Sequence, residues 1–272
     1  MNRTIKMMKE KQMSTNKVKQ EKTVIHDEKC LCEKLKALKL TTVLQNYNAT
    51  AEKAAANQWS YPQYLLELCE NEVNFRNDKS TERRIAAARF PSIKTLDGFD
   101  WNWPKKINRP QVQNLFRLAF VEQKANVIFL GGVGLGKTHL SSALAYQACL
   151  NGYSVLYASA IDIVNTLNAA ANAGRLKSEL KRFVKPDILL MDELGYLPID
   201  KVGADLLFQV ISQRYEVGPI ILTTNKPFKK WPEIFNNDST LTSAVLDRLL
   251  HHAETIVVEG KSYRMKDQIE AD

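Results

Sequence analysis

The sequence predicts an α/β fold built on a five-stranded, mainly parallel sheet, preceded by a small all-α N-terminal domain. Three observations carry this. Five short apolar runs, at Val127–Leu130, Val155–Ala158, Ile188–Met191, Ile220–Thr224 and Thr255–Val258, alternate with stretches of helical period. The first run leads straight into Gly131-Gly132-Val133-Gly134-Leu135-Gly136-Lys137-Thr138, a glycine spacing that joins a strand to a helix. Before residue 95 there is helical period but no strand-like run.

Taken in order, residues 1–28 are rich in Lys, Gln, Thr and Asn without period and read as a disordered basic tail. A helical domain is expected over 29–94. Leu31, Leu35 and Leu38 recur at helical spacing, and Val43–Asn57 is compatible with a second helix. Ser60 then stands as an N-cap before Pro62, opening a long helix that ends near Arg89, with Pro91 as its stop. Pro91, Gly98, Pro104 and Pro110 break periodicity, so a linker is placed over 90–110 with a boundary near residue 95. The core runs over 95–260 and a short tail over 261–272.

The 272 residues carry a net charge of +8, and the excess is all N-terminal: residues 1–110 hold 21 Lys and Arg against 13 Asp and Glu, and the remainder is balanced. A basic part joined to a neutral one suits contact with a polyanion, nucleic acid being the usual one. The longest purely apolar runs are four residues or so, far short of the ~20 of a membrane-spanning helix. Cys30, Cys32, Cys69 and Cys149 match no zinc spacing, free thiols suit a reducing compartment, and residues 1–29 lack the apolar stretch of a signal peptide. A cytoplasmic location with no membrane contact is expected.

The glycine loop is where the chemistry starts. Glycines let successive backbone N–H groups turn inward around phosphates, Lys137 reaches the β- and γ-phosphates, and the Thr138 hydroxyl binds Mg²⁺ at a helix start whose dipole favours an anion. Gly131, Gly132, Val133, Gly134, Leu135, Gly136, Lys137, Thr138 and the following His139 are therefore assigned to ATP, with Lys137 also assisting catalysis. Asp192 and Glu193 end the third apolar run, 55 positions after Lys137. Ligands of a parallel sheet sit beyond the carboxyl ends of its strands, so Asp192 would share Mg²⁺ with Thr138, and Glu193 would polarise the attacking water. Asn225 ends the next run and suits a place beside the γ-phosphate. Arg248, within Leu246-Asp247-Arg248-Leu249-Leu250, reads by itself as half of a surface ion pair with Asp247, and a catalytic role for it needs support from context.

This series resembles the AAA+ ATPases. Residues 31–267 further resemble the IstB-like helper ATPases of bacterial insertion sequences, relatives of the helicase loader DnaC. The resembling stretches are Glu82-Arg83-Arg84 with Ala88-Arg89-Phe90-Pro91, Thr95-Leu96-Asp97-Gly98-Phe99-Asp100-Trp101, Asp192-Glu193-Leu194-Gly195-Tyr196, Thr223-Thr224-Asn225, and Gly260-Lys261-Ser262-Tyr263-Arg264. The resemblance implies an AAA+ core that assembles on DNA in the ATP state and assists a cognate transposase in choosing a target. Arg248 then resembles an arginine finger acting on a neighbouring subunit's ATP, which implies a homo-oligomer with shared active sites. One departure stands out: 14 residues follow Val258, too few for the helical lid usual in the wider superfamily. The lid's sensor arginine is missing, and Arg264 is left either to replace it or to contact a partner.

For DNA, Arg83, Arg84 and Arg89 lie in the basic half, and Lys177, Lys181 and Lys185 share one helical face. No base-reading element is visible, so phosphate contacts of low sequence specificity are expected. The rival readings are a replicative helicase loader, a small-molecule phosphotransferase, and an ATP-binding scaffold without turnover.

Overall fold

Alternate side chains of the apolar runs bury on opposite faces of one sheet, and this sets the architecture. The computed structural model describes residues 27–265, so most of the basic tail and residues 266–272 lie outside the described residues. These fall into two compact units that divide between Ser80 and Thr81, not near residue 95.

The first unit holds α1 (residues 27–37), α2 (Thr41–Ala56) and most of α3 (Tyr61–Ala88). Its core is small: Leu35, Val43 and Leu68, with Leu40, Leu44, Tyr47 and Tyr64 packed around them. Ser60 opens α3 as expected, its hydroxyl accepting from Gln63 N–H at 3.4 Å while the Gln63 side chain accepts from Ser60 N–H at 2.8 Å. Helix α2 has no cap of its own, because Leu40 offers no side-chain acceptor. Glu72 of α3 supplies it, accepting from the N–H groups of Thr42 and Val43 at 2.8 and 3.4 Å. Arg76 closes the network, donating to Glu72 Oε1 and to Lys39 O, both at 2.8 Å.

The last turn of α3 belongs to the second unit, because Ile85 and Ala88 pack with Phe90, Leu96 and Trp101 against that unit's core. That packing places the division within α3. Two short helices follow, α4 (Arg109–Leu115) and α5 (Ala119–Glu122), and then the alternating part of the chain. Strands β1 (Asn126–Gly131), β2 (Val155–Ser159), β3 (Ile188–Leu194), β4 (Ile220–Thr224) and β5 (Ala253–Val258) contain all five expected runs. They form one sheet in the order β2-β3-β4-β1-β5 with every pair parallel.

Val127, Phe129, Leu190 and Ile221 bury on one face, with Leu140, Leu144 and Ala148 of α6 (Lys137–Leu150). Ile128, Leu189, Met191 and Leu222 bury on the other, under α7 (Ala160–Asn172), α8 (Leu176–Val184), α9 (Lys201–Arg214) and α10 (Ser239–Leu250). Both faces of the central strands are covered, so β4 and the first part of β3 are runs of buried residues without polar alternation. Arg214 of α9 is charged and buried. Its guanidinium donates to the carbonyls of Phe183, Val184, Pro186, Asp187 and Pro219 at 2.9–3.0 Å, tying the end of α8 to the starts of β3 and β4. Burial lowers its pKa to about 10.

Among the described residues, β5 is followed by a 3-10 turn at Tyr263–Met265 and by no helical lid. No described helix is long and apolar enough to cross a membrane.

Candidate nucleotide site

The carboxyl ends of β1, β3 and β4 lie side by side, and the predicted residues emerge from them. After β1 the loop turns with Gly134 and Gly136 at φ +73° and +80°, a left-handed conformation that glycine adopts without strain. Space is as tight as conformation: a Cβ on Gly136 would stand 2.6 Å from the Phe99 ring, and one on Gly134 would collide with the Ser262 hydroxyl. Gly131 is still within β1, against the Val258 carbonyl. Lys137 opens α6 and folds back, its Nζ donating to Gly132 O at 2.6 Å. Burial lowers the Lys137 pKa, and the charges of Asp192 and Glu193 oppose that shift.

Asp192 is 1% exposed and its carboxylate is fully engaged. Oδ1 accepts from the Thr138 hydroxyl at 3.1 Å and from the Thr223 hydroxyl, and Oδ2 accepts from Tyr157 at 2.8 Å. Burial, then the Asp192 charge, pushes the Tyr157 phenol well above its usual pKa, so it stays a donor. A register shift in β3 between Met191 and Leu194 turns the next residue outward. Glu193 sits there at φ +60°, exposed, with its N–H held by Thr223 Oγ1 at 2.9 Å. This backbone conformation is strained for a residue with a side chain. Asn225 Oδ1 is buried with no hydrogen-bond partner among the described residues, a free acceptor at the end of β4.

Val133, Leu135, Thr138, His139, Glu193 and Asn225 are among the residues lining a cavity of about 470 Å³, a size that takes a nucleotide. One wall is built by residues before the core. His139 Nε2 lies 2.8 Å from Thr95 O, and its ring meets Phe99 edge-on at 5.6 Å. The segment after β5 also borders it: Tyr263 N–H donates to Gly134 O at 2.8 Å, and Trp103 Nε1 donates to Lys261 O at 2.9 Å. Arg264 lines the cavity, and its charge acts on Lys137. Arg264 is also exposed, which suits either reading of it.

Not every predicted residue is here. Arg248 lies on α10 with its guanidinium 4.8 Å over the Phe208 ring and donating to Ala244 O at 2.9 Å. It shares a separate small cavity with Asn126 and Ile220, the first residues of β1 and β4. That is the far end of the sheet, about 20 Å from the loop at the other end of β1, so Arg248 does not reach its own subunit's cavity. Arg83 and Arg89 are exposed, as are Lys177, Lys181 and Lys185 along α8 and its C-cap. Arg84 is instead tied to its own fold, its Nε donating to Cys149 O at 3.0 Å at the end of α6.

A family model described as IstB-like ATP binding protein matches residues 33–271. The chain belongs to that family. It is thus an ATP-binding AAA+ protein with the core of a P-loop ATPase. It is similar to the protein named for ATP binding in insertion sequence IS5376 of Geobacillus stearothermophilus, 40% identical over 85% of this chain and 92% of that one. It is also similar to its counterpart in IS21 of Pseudomonas aeruginosa, 39% identical over 87% and 89%. In fold it resembles AMPPCP-bound DnaA from Aquifex aeolicus, with a TM-score of 0.52 and 21% identity over 67% of this chain and little more than half, 56%, of that longer one. DnaI gives the same TM-score of 0.52 at 19% identity, over 64% and 93%.

Within this IstB-like chain, Tyr157 and Thr223 were missed by sequence reasoning. Thr223 had a signal, since it stands in β4 two positions before Asn225. Tyr157 had none, because only the pairing of β2 with β3 brings it to Asp192.

Proposed function

We propose that this chain is the assembly factor of an insertion sequence: it binds Mg²⁺–ATP, forms a homo-oligomer on DNA and assists a cognate transposase, with hydrolysis resetting the assembly. The observation that carries this is the separation between the cavity, where Lys137, Thr138, Glu193, Asn225 and Arg264 converge, and Arg248 at the other end of the sheet. An arginine so placed suits the phosphates of a neighbouring subunit, which makes turnover depend on assembly.

In the mechanism, the loop's N–H groups and Lys137 hold the phosphates, and Arg264 adds positive charge from the same subunit. Thr138 Oγ1 and Asp192 Oδ1, two hard oxygen donors 3.1 Å apart, fit Mg²⁺. Held by Thr138 and Asp192, Mg²⁺ would supply positive charge to offset that of the phosphates. Glu193 accepts a proton from the attacking water, and the unpartnered Asn225 Oδ1 orients that water through its other proton. Exposed Arg83, Arg89, Lys177, Lys181 and Lys185 supply phosphate contacts to DNA, while Arg84 is left to hold α3 on α6.

The test is ATP-dependent sedimentation of the full chain with and without long duplex DNA at two salt concentrations. A large complex that needs both ATP and duplex, and that weakens with salt, supports the reading. Assembly only on single strands or on a helicase ring overturns it in favour of a helicase loader.

A further inference from the structure

The Arg248 end of the sheet carries a second group of side chains that the nucleotide site does not use. His251 and His252 join α10 to β5, and Glu216 lies in the turn between α9 and β4. One ligating atom from each lies within 4.8 Å of the other two, and all three residues are exposed. Among the described residues, no other three His, Cys, Asp or Glu side chains come together in this way.

We propose that Glu216, His251 and His252 form a binding site for a divalent transition metal, Zn²⁺ in the first instance, with a fourth coordination position open. Two imidazoles and a carboxylate are the donor set of open zinc sites. Imidazole also selects such ions over Mg²⁺, which prefers oxygen. Bonds of about 2.0–2.1 Å bring tetrahedral ligands to roughly 3.4 Å from one another. The group therefore needs to close by about 1 Å or a little more, a movement open to exposed side chains. The two rings already lie side by side, with centroids 4.1 Å apart.

The surroundings are arranged for ligation in two further ways. The Tyr215 hydroxyl lies 2.8 Å from His251 Nδ1. In the proposed site this oxygen accepts from Nδ1–H and leaves Nε2 as the ligand, the usual outer-shell arrangement of a metal-bound histidine. The Glu216 backbone is held at φ +59°, a conformation costly for a residue with a side chain and retained where the surroundings impose it. Of the nearby cations, Arg248 is engaged by Phe208 and Ala244 O, while Lys124 lines the same small cavity as Glu216 and His252. A metal held here would fasten the α9–β4 turn to the α10–β5 turn, at the end of the helix that carries Arg248. Only that link to Arg248 rests on the oligomer reading, and metal binding itself does not.

The experiment uses the full chain stripped of metal and saturated with Mg²⁺–ATP, titrated with Zn²⁺ and separately with Co²⁺. One equivalent of Zn²⁺ is expected to bind with micromolar affinity, and Co²⁺ to give visible bands without a thiolate charge-transfer band. His251→Ala and His252→Ala should each weaken binding at least tenfold, and Tyr215→Phe by roughly tenfold, with thermal unfolding in metal-free buffer unchanged. Undiminished binding in the double His251→Ala/His252→Ala variant overturns the proposal. So does a thiolate band, which assigns the metal to cysteine, or an affinity no better than millimolar, which marks adventitious binding.

Discussion

The Thr138 hydroxyl donates to Asp192 Oδ1 at 3.1 Å, joining the first turn of α6 to β3 across 54 positions of sequence. The same carboxylate is held by Thr223 from β4 and Tyr157 from β2. Three strands and a helix thus converge on one buried side chain. A buried charge of this kind is tolerated because each oxygen is hydrogen-bonded, and its orientation follows from those bonds.

Tyr157→Phe tests that orientation. It removes a hydroxyl that does not line the cavity and leaves Asp192 Oδ2 without its donor. Turnover should fall about tenfold, and the Mg²⁺ concentration for half-maximal rate should rise, while binding of ATP without Mg²⁺ stays the same. An unchanged Mg²⁺ dependence would assign Tyr157 to packing alone.

Lys137→Ala should abolish ATP binding, by at least a hundredfold in affinity, since the ammonium is the loop's only side-chain cation to the phosphates. Equilibrium binding of a fluorescent ATP analogue checks this. Retained affinity would sink the assignment of the loop.

Glu193→Gln keeps the shape of the site and removes the proton acceptor. ATP binding should persist, with turnover reduced by about 10²–10⁴-fold, and DNA-bound assemblies should outlast those of the parent chain. Steady-state hydrolysis at the parent rate takes Glu193 out of the mechanism.

Arg248→Ala should bind ATP and hydrolyse it weakly. Mixing it with Lys137→Ala chains, whose own sites are dead but whose Arg248 is intact, should restore part of the activity if the arginine acts between subunits. No gain on mixing would leave Arg248 as a residue that packs on Phe208.

Glu72 gives the first unit a pH dependence. Burial alone would raise its carboxyl pKa, but Arg76 and the N–H groups of Thr42 and Val43 outweigh this and hold it below the usual value. A lowered pKa in the folded state stabilises above the unfolded value, and that stability is lost as pH falls through the folded one, below the ordinary carboxylate range. Helix content measured by circular dichroism should therefore fall in that range. Glu72→Ala should remove the dependence and cost the unit about 1–3 kcal/mol at neutral pH by leaving the start of α2 uncapped. An acid transition identical in parent and variant would point to another group.

Some of this molecule is local in sequence and some is not. The five strands, the Ser60 start of α3, and the loop from Gly131 to Thr138 are contiguous patterns, set by side-chain period, by a capping hydroxyl and by glycines that permit positive φ. Asp192, Glu193 and Asn225 were readable too, because a parallel sheet places the ends of its strands together. Tyr157 on Asp192, Glu72 on α2, Arg264 in the cavity, the distance of Arg248 from it and the division within α3 carry no such pattern. Each joins polar or apolar groups from distant positions, and such pairs form only when packing has excluded water and fixed which segments are neighbours. Sequence period shows which face of an element is buried, but the partner across that face is chosen by the assembled core.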